Sequence, residues 1–225
     1  MARTLELQVT GFEVGHAQHG YHPITLESTR GPILTRLYPV PEGTERAVIT
    51  VGGVGGGWDT PARDLYPWLG TALPTEGIAL CRVRFRHPTV LEEAVLDVLA
   101  AIAFLEAEGV TQVGLVGHSF GGAVVIQAAA LAPQVRTVVT LATQGYGADP
   151  ASELGPRCSL LLLHGTADRV LSPVCSQHAF EGAREPKEIA LYEGAGHGLD
   201  EAAEAVRLRV HDWLVARLSE RGGID

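Results

Sequence analysis

Ser119 stands in Gly117-His118-Ser119-Phe120-Gly121-Gly122, between an apolar run at 113–116 and an Ala/Val-rich run at 123–131. The pattern G-x-S-x-G, set between a strand and a helix, raises a serine hydroxyl on a sharp turn as a nucleophile. A serine held there at positive φ needs neighbours without Cβ atoms two positions to either side, and Gly117 and Gly121 meet that need. A hydroxyl is a poor nucleophile until a base takes its proton. An imidazole titrating near neutral pH can take it and later return it to a leaving group. His197, in Gly194-Ala195-Gly196-His197-Gly198, is the candidate base. Asp168, just past the apolar run 160–163, is the candidate acid, since a carboxylate on the other ring nitrogen fixes the tautomer and stabilises the imidazolium. Nucleophile, acid and base follow here in the order that a strand-turn-helix serine of this kind requires.

Attack on a carbonyl creates an oxyanion, which two main-chain N–H groups must receive. Phe120, directly after the serine, supplies one. The second is expected from the run Gly52-Gly53-Val54-Gly55-Gly56-Gly57 after the apolar stretch 47–51, with Val54 the first candidate and Gly53 the next. That run does not read as a nucleotide loop, because it lacks the Lys-Ser/Thr ending and an acidic ribose partner at the expected distance. Gln144 and Tyr146 are candidates for the pocket lining, read equally well as ordinary turn residues. Asp59, Arg84, Phe85 and Arg86 are weaker candidates for its mouth.

These residues need a scaffold that delivers them to one edge. Strands are expected at 5–9, 24–27 and 32–38, with turn signals between them, forming an antiparallel edge. From 47–51 onward the chain alternates: a strand at 78–85, a long helix at 91–108, the strand before Ser119, a helix, and a strand at 138–142. Strands before Asp168 and His197 follow, and 201–218 shows the apolar spacing of an amphipathic helix laid on a sheet. The fold class is therefore α/β, a mostly parallel sheet of about eight strands with helices on both faces. In such sheets the loops beyond the carboxyl ends of the strands form sites. Between the strand at 138–142 and the next there is no room for a helical lid, so the site is expected to be open and suited to small, solvent-accessible esters.

Other reactive side chains read as structural. His16, His19 and His22 recur every third residue, but glycines and a proline break the stretch and nothing completes a metal site. His118 is expected to pack away from the serine hydroxyl, and His164 to be a hydrogen-bonded core histidine. Cys81, Cys158 and Cys175 are odd in number without metal spacing, which reads as free thiols in a reducing compartment.

A chain of 225 residues with 46% hydrophobic content can bury one sizeable core, so a single domain over 1–225 is expected. The net charge of −9 argues against nucleic acid as a partner. One lysine, Lys187, among 17 basic residues reads as genomic base composition. No apolar run has signal-peptide or membrane-span length, which reads as a cytoplasmic protein that does not engage a membrane.

In Gly117 to Gly122, His164-Gly165-Thr166-Ala167-Asp168-Arg169-Val170 and Gly194-Ala195-Gly196-His197-Gly198, the chain resembles the α/β-hydrolase superfamily, and in size its small lidless esterases and dienelactone-hydrolase-like proteins. The resemblance covers nearly the whole chain. It departs at Gly52, where many relatives carry histidine, and at 119, where dienelactone hydrolases proper use cysteine, so their lactone substrate is not carried over. The resemblance implies the α/β-hydrolase fold and a carboxylic-ester hydrolase with catalytic Ser119, Asp168 and His197 and an oxyanion hole at Val54 and Phe120. It implies no cofactor and no metal. The same three residues would also serve an acyltransferase or a cofactor-free perhydrolase, and a non-catalytic binding protein could retain the frame.

Overall fold

The computed structural model describes residues 6–219. Nine strands form one sheet in the order β1-β2-β3-β5-β4-β6-β7-β8-β9. They are β1 Val9–Val14, β2 His22–Ser28, β3 Ile33–Tyr38, β4 Arg46–Val51, β5 Ala79–Arg84, β6 Gln112–His118, β7 Val135–Leu141, β8 Ser159–Gly165 and β9 Lys187–Tyr192. The first three and β5 pair antiparallel, and β5 through β9 pair parallel around a central β4 and β6. The expected antiparallel edge and parallel body are thus both present.

The helices are α1 Leu65–Ala72, α2 Leu91–Ala107, α3 Phe120–Leu131, α4 Val174–Gly182 and α5 Ala203–Ser219. A strand sends alternate side chains to opposite faces, and both faces are covered. Ile49, Leu115, Leu160 and Leu162 join α2, α3 and α4 in one core. Val48, Val116, Leu161 and Leu163 join α1 and α5 in the other. Burial on both sides explains why β4, β6 and β8 read as continuous apolar runs rather than alternating ones.

One expectation shifts. The strand expected at 5–9 is replaced by β1 at Val9–Val14, and Leu5 lies outside the described residues. Cross-strand pairing decides the position: Val14 faces Ile24 and Phe12 faces Leu26, with a bulge between Val9 and Gly11. Helices α1 and α4 had no sequence expectation. Between β7 and β8 the described chain makes one short 3₁₀ stretch, Asp149–Glu153, and no helical lid. Among the described residues no helix is long and apolar enough to cross a membrane.

Candidate active site

Ser119 follows β6 directly and caps α3 at φ 57, ψ −118. A non-glycine residue in that region carries about 1–3 kcal/mol of strain, which the surroundings must hold. They do so by close packing. A Cβ on Gly117 would lie 2.1 Å from the oxygen of Gly121, and one on Gly121 would lie 2.3 Å from the oxygen of Gly52. The amides of Gly122 and Gln144 donate to the oxygen of Ser119 at 3.0 and 3.3 Å, and its own amide donates to Leu141 at 2.8 Å.

The three residues singled out by type and order meet in one hydrogen-bonded chain. Nε2 of His197 lies 3.0 Å from Oγ of Ser119, and Nδ1 lies 2.8 Å from Oδ2 of Asp168. A carboxylate can only accept, so Nδ1 carries the proton and the neutral ring presents Nε2 bare to the hydroxyl. The Asp168 side chain is fully buried. Burial pushes its carboxyl up, but the hydrogen bond from His197 and those from the Leu171 and Val170 amides outweigh it and hold the group below its ordinary value. The Asp168 and His197 loops can converge because Gly165 has no side chain; a Cβ there would lie 2.1 Å from the oxygen of Ala195.

His118 does more than pack. Its Nε2 lies 3.0 Å from the main-chain oxygen of His197, and the two rings are 4.8 Å apart. Burial drives its pKa down from 6.5 to about 4. His164 is the hydrogen-bonded core histidine expected, fully buried with Asp168 among its partners. His16 and His19 are exposed, His22 lies half-buried in β2, and among the described residues no three His, Cys, Asp or Glu side chains gather as a metal site. The three cysteines are free thiols. Cys175 borders a separate small cavity with Gly145 and His178.

The glycine loop 52–57 is fixed at both ends. Tyr66 donates its hydroxyl to the oxygen of Val51 at 2.8 Å, and Arg82 donates to the oxygen of Trp58 at 2.7 Å. The Arg36 guanidinium lies 4.0 Å from the centre of the Trp58 ring, a cation–π contact between two half-buried residues. The backbone at Gly53 passes against the serine, where an added Cβ would be 3.3 Å from Ser119 Cβ. Phe120, at the first position of α3, has an N–H without an intrahelical acceptor.

An open cleft of about 330 Å³ borders Phe120, the residue after Ser119; Ser119, Asp168 and His197 are not themselves among its walls. Val54, Phe120, Gln144 and Tyr146 are among its walls. Its remaining wall is Thr89, Val90, Leu91 and Glu92, which no motif marks; the one available signal is their place after the carboxyl end of a parallel strand. The weaker candidates do other work. Phe85 supports Phe120 edge-to-face at 5.7 Å, Arg86 pairs with Asp97 and Glu93, Asp59 fills the curl of the glycine loop beside Gly55, and Arg84 is exposed opposite Leu34.

Solved structures share this frame at low identity. The esterase domain of a Rhodothermus marinus protein superposes with a TM-score of 0.69 at 21% identity, covering 93% of this chain and 100% of its own. A dienelactone hydrolase from Anabaena variabilis gives 0.76 at 19%, covering 88% and 98%. An α/β serine hydrolase without lid from Xanthomonas campestris gives 0.71 at 18%, covering 91% and 98%. The comparison with curated proteins gives no match. The model of the dienelactone hydrolase family matches residues 77–212, a stretch that runs from β5 into α5 and carries Ser119, Asp168 and His197. By that match the chain belongs to the dienelactone hydrolase family.

Proposed function

We propose that the protein is a serine hydrolase that cleaves small, solvent-accessible carboxylic esters, thioesters or lactones through an acyl-enzyme on Ser119, the chain acting as one domain. The observation that carries this reading is the relay from Ser119 Oγ through His197 to the buried Asp168, at 3.0 and 2.8 Å. Both distances lie within the range needed for proton transfer.

In this mechanism the bare Nε2 of His197 takes the Ser119 proton as Oγ attacks the carbonyl carbon. The oxyanion settles on the amides of Phe120 and Val54, with Gly53 at its side. Donors fixed in place before reaction are worth several kcal/mol each in such a hole, roughly 2.7–4 by removal. Pinning of the glycine loop by Tyr66, Arg82 and Trp58 supports this role. His197 then gives its proton to the leaving alcohol, Asp168 stabilising the imidazolium in the meantime. Water, activated by the same imidazole, attacks the acyl-enzyme and frees the acid and Ser119. The cycle balances with ester and water alone and calls on no cofactor. The open cleft, lined by Val54, Gln144 and Tyr146, favours compact acyl groups over long chains that need enclosing walls.

The test is labelling of the purified protein with a fluorescent fluorophosphonate. Wild type should label, and Ser119→Ala and His197→Ala should not. A folded wild type that stays unlabelled would remove the reading.

A further inference from the structure

Two histidines share one oxygen of Asp168. His197 Nδ1 lies 2.8 Å from Oδ2, and His164 Nε2 lies 3.0 Å from the same atom. His164 Nε2 also faces the main-chain oxygen of Leu171 at 3.1 Å. Both partners can only accept, so Nε2 must carry the proton. Nδ1 is then bare and receives the hydroxyl of Ser176 at 2.7 Å. His164 and Ser176 are both fully buried. Burial also pushes the His164 imidazole down, so it remains neutral and keeps this tautomer at neutral pH.

Nothing in the proposed reaction uses His164, and an apolar side chain there would continue the run 160–163 but leave the Ser176 hydroxyl and the Leu171 oxygen without this partner. A buried imidazole with its partners ordered around it costs desolvation that packing does not require. The arrangement instead restrains the carboxylate. Oδ1 is held by the amides of Val170 and Leu171 at 2.8 and 3.0 Å, and Oδ2 is held by His164. Asp168 therefore stays fixed even while His197 moves protons.

The geometry points to His164, oriented by Ser176, as a positioning residue that keeps Oδ2 of Asp168 aimed at His197 and draws off part of its charge; this rests on the reading of Ser119, His197 and Asp168 given above. Sharing the carboxylate between two donors weakens its pull on the proton held by His197. The acid limb of turnover is where this sharing would be read. Among the other ionisable groups around the pair, Glu201 accepts from the amide of Gly196 beside His197 at 3.0 Å. On β6 His118 is held at about 4 by burial; on β9 the phenol of Tyr192 is pushed up by burial; on α4 Cys175 and His178 border a separate cavity; Asp200 hydrogen-bonds the amide of Arg63.

The experiment compares wild type, His164→Phe, His164→Gln and Ser176→Ala on a short-chain 4-nitrophenyl ester, with kcat and KM across pH and melting temperature for each. His164→Phe should lower kcat about tenfold with KM unchanged. It should also move the acid limb of kcat/KM upward by about half a pH unit, because the carboxylate then serves His197 alone. His164→Gln, whose amide reaches the position of Nε2, should restore most of kcat and the wild-type limb. Ser176→Ala should show a smaller loss in the same direction. A folded His164→Phe protein with wild-type kcat and acid limb overturns the proposal. Should that variant not fold, Ser176→Ala and His164→Gln decide, and a wild-type profile in Ser176→Ala beside a displaced one in His164→Gln overturns it equally. Turnover retained by Ser119→Ala in the same assay would mark failure of the underlying reading instead.

Discussion

Nε2 of His118 donates to the main-chain oxygen of His197 across 3.0 Å, so the residue before Ser119 holds the loop that carries His197. Burial lowers the His118 pKa from 6.5 to about 4. The unfolded chain therefore binds a proton at this site between those values and the folded chain does not. Stability attributable to His118 is whole above about 6.5, falls as pH drops toward 4, and is lower by about 3 kcal/mol below it. His118→Gln keeps an N–H for the His197 oxygen and cannot charge. Melting curves from pH 7 to pH 4 should show a flatter decline in that variant than in wild type; equal slopes would remove the assignment.

Ser119→Ala tests the nucleophile apart from the fold. Alanine has the same Cβ as serine at φ 57, so backbone strain is unchanged and the melting temperature should move by no more than about 2 °C. Ester turnover should fall by about 10⁴-fold or more, the order seen when a serine nucleophile is removed. Steady-state kinetics and a thermal melt on one preparation check both halves.

Gly121 and Gly53 make opposite predictions. Gly121→Ala places a Cβ 2.3 Å from the oxygen of Gly52, a backbone atom that cannot retreat without moving the glycine loop. That variant should lose more than about 3 kcal/mol and recover poorly as soluble protein. Gly53→Ala meets Ser119 Cβ at 3.3 Å and Oγ at 3.7 Å. It should fold, melt close to wild type, and turn over ester at least about tenfold more slowly because the serine and the oxyanion site are crowded. Solubility, denaturant midpoints and kcat separate the two.

Charge on the substrate should matter. Among the described residues lining the cleft, Glu92 is the only carboxylate and none is Lys or Arg. An ester whose acyl group ends in a carboxylate, such as a hemisuccinate, should therefore react more slowly than the neutral butyrate of the same leaving group. Glu92→Gln should narrow the gap about two- to fivefold at low salt and less at high salt, since an exposed charge is screened. A gap that ignores both the substitution and the salt would place the charge discrimination elsewhere.

What the sequence disclosed follows from where the physics is local. The turn at Ser119 announces itself because steric demands on Gly117 and Gly121 act within two residues, and the runs 160–163 and 113–116 announce buried parallel strands. The start of β1 was hidden because Val14 and Phe12 are placed by Ile24 and Leu26 across the sheet, not by their own alternation. The wall Thr89 to Glu92 was hidden because loop shape depends on the packing of α2 beneath it. His164 looked like core because its strand position says burial; that it faces Asp168 depends on how the chain bends over residues 165–168.

The segment between β7 and β8 is short and tied at several points, with Gln144 donating its side chain to the Tyr146 oxygen at 2.7 Å and Gln127 to the Gly147 oxygen at 3.0 Å. A rim of this kind has no closed state to leave. Oil droplets and micelles, which switch on enzymes whose helical flaps must swing aside, give this site nothing to release. Rate should therefore climb smoothly with dissolved ester and show no jump where the ester begins to aggregate.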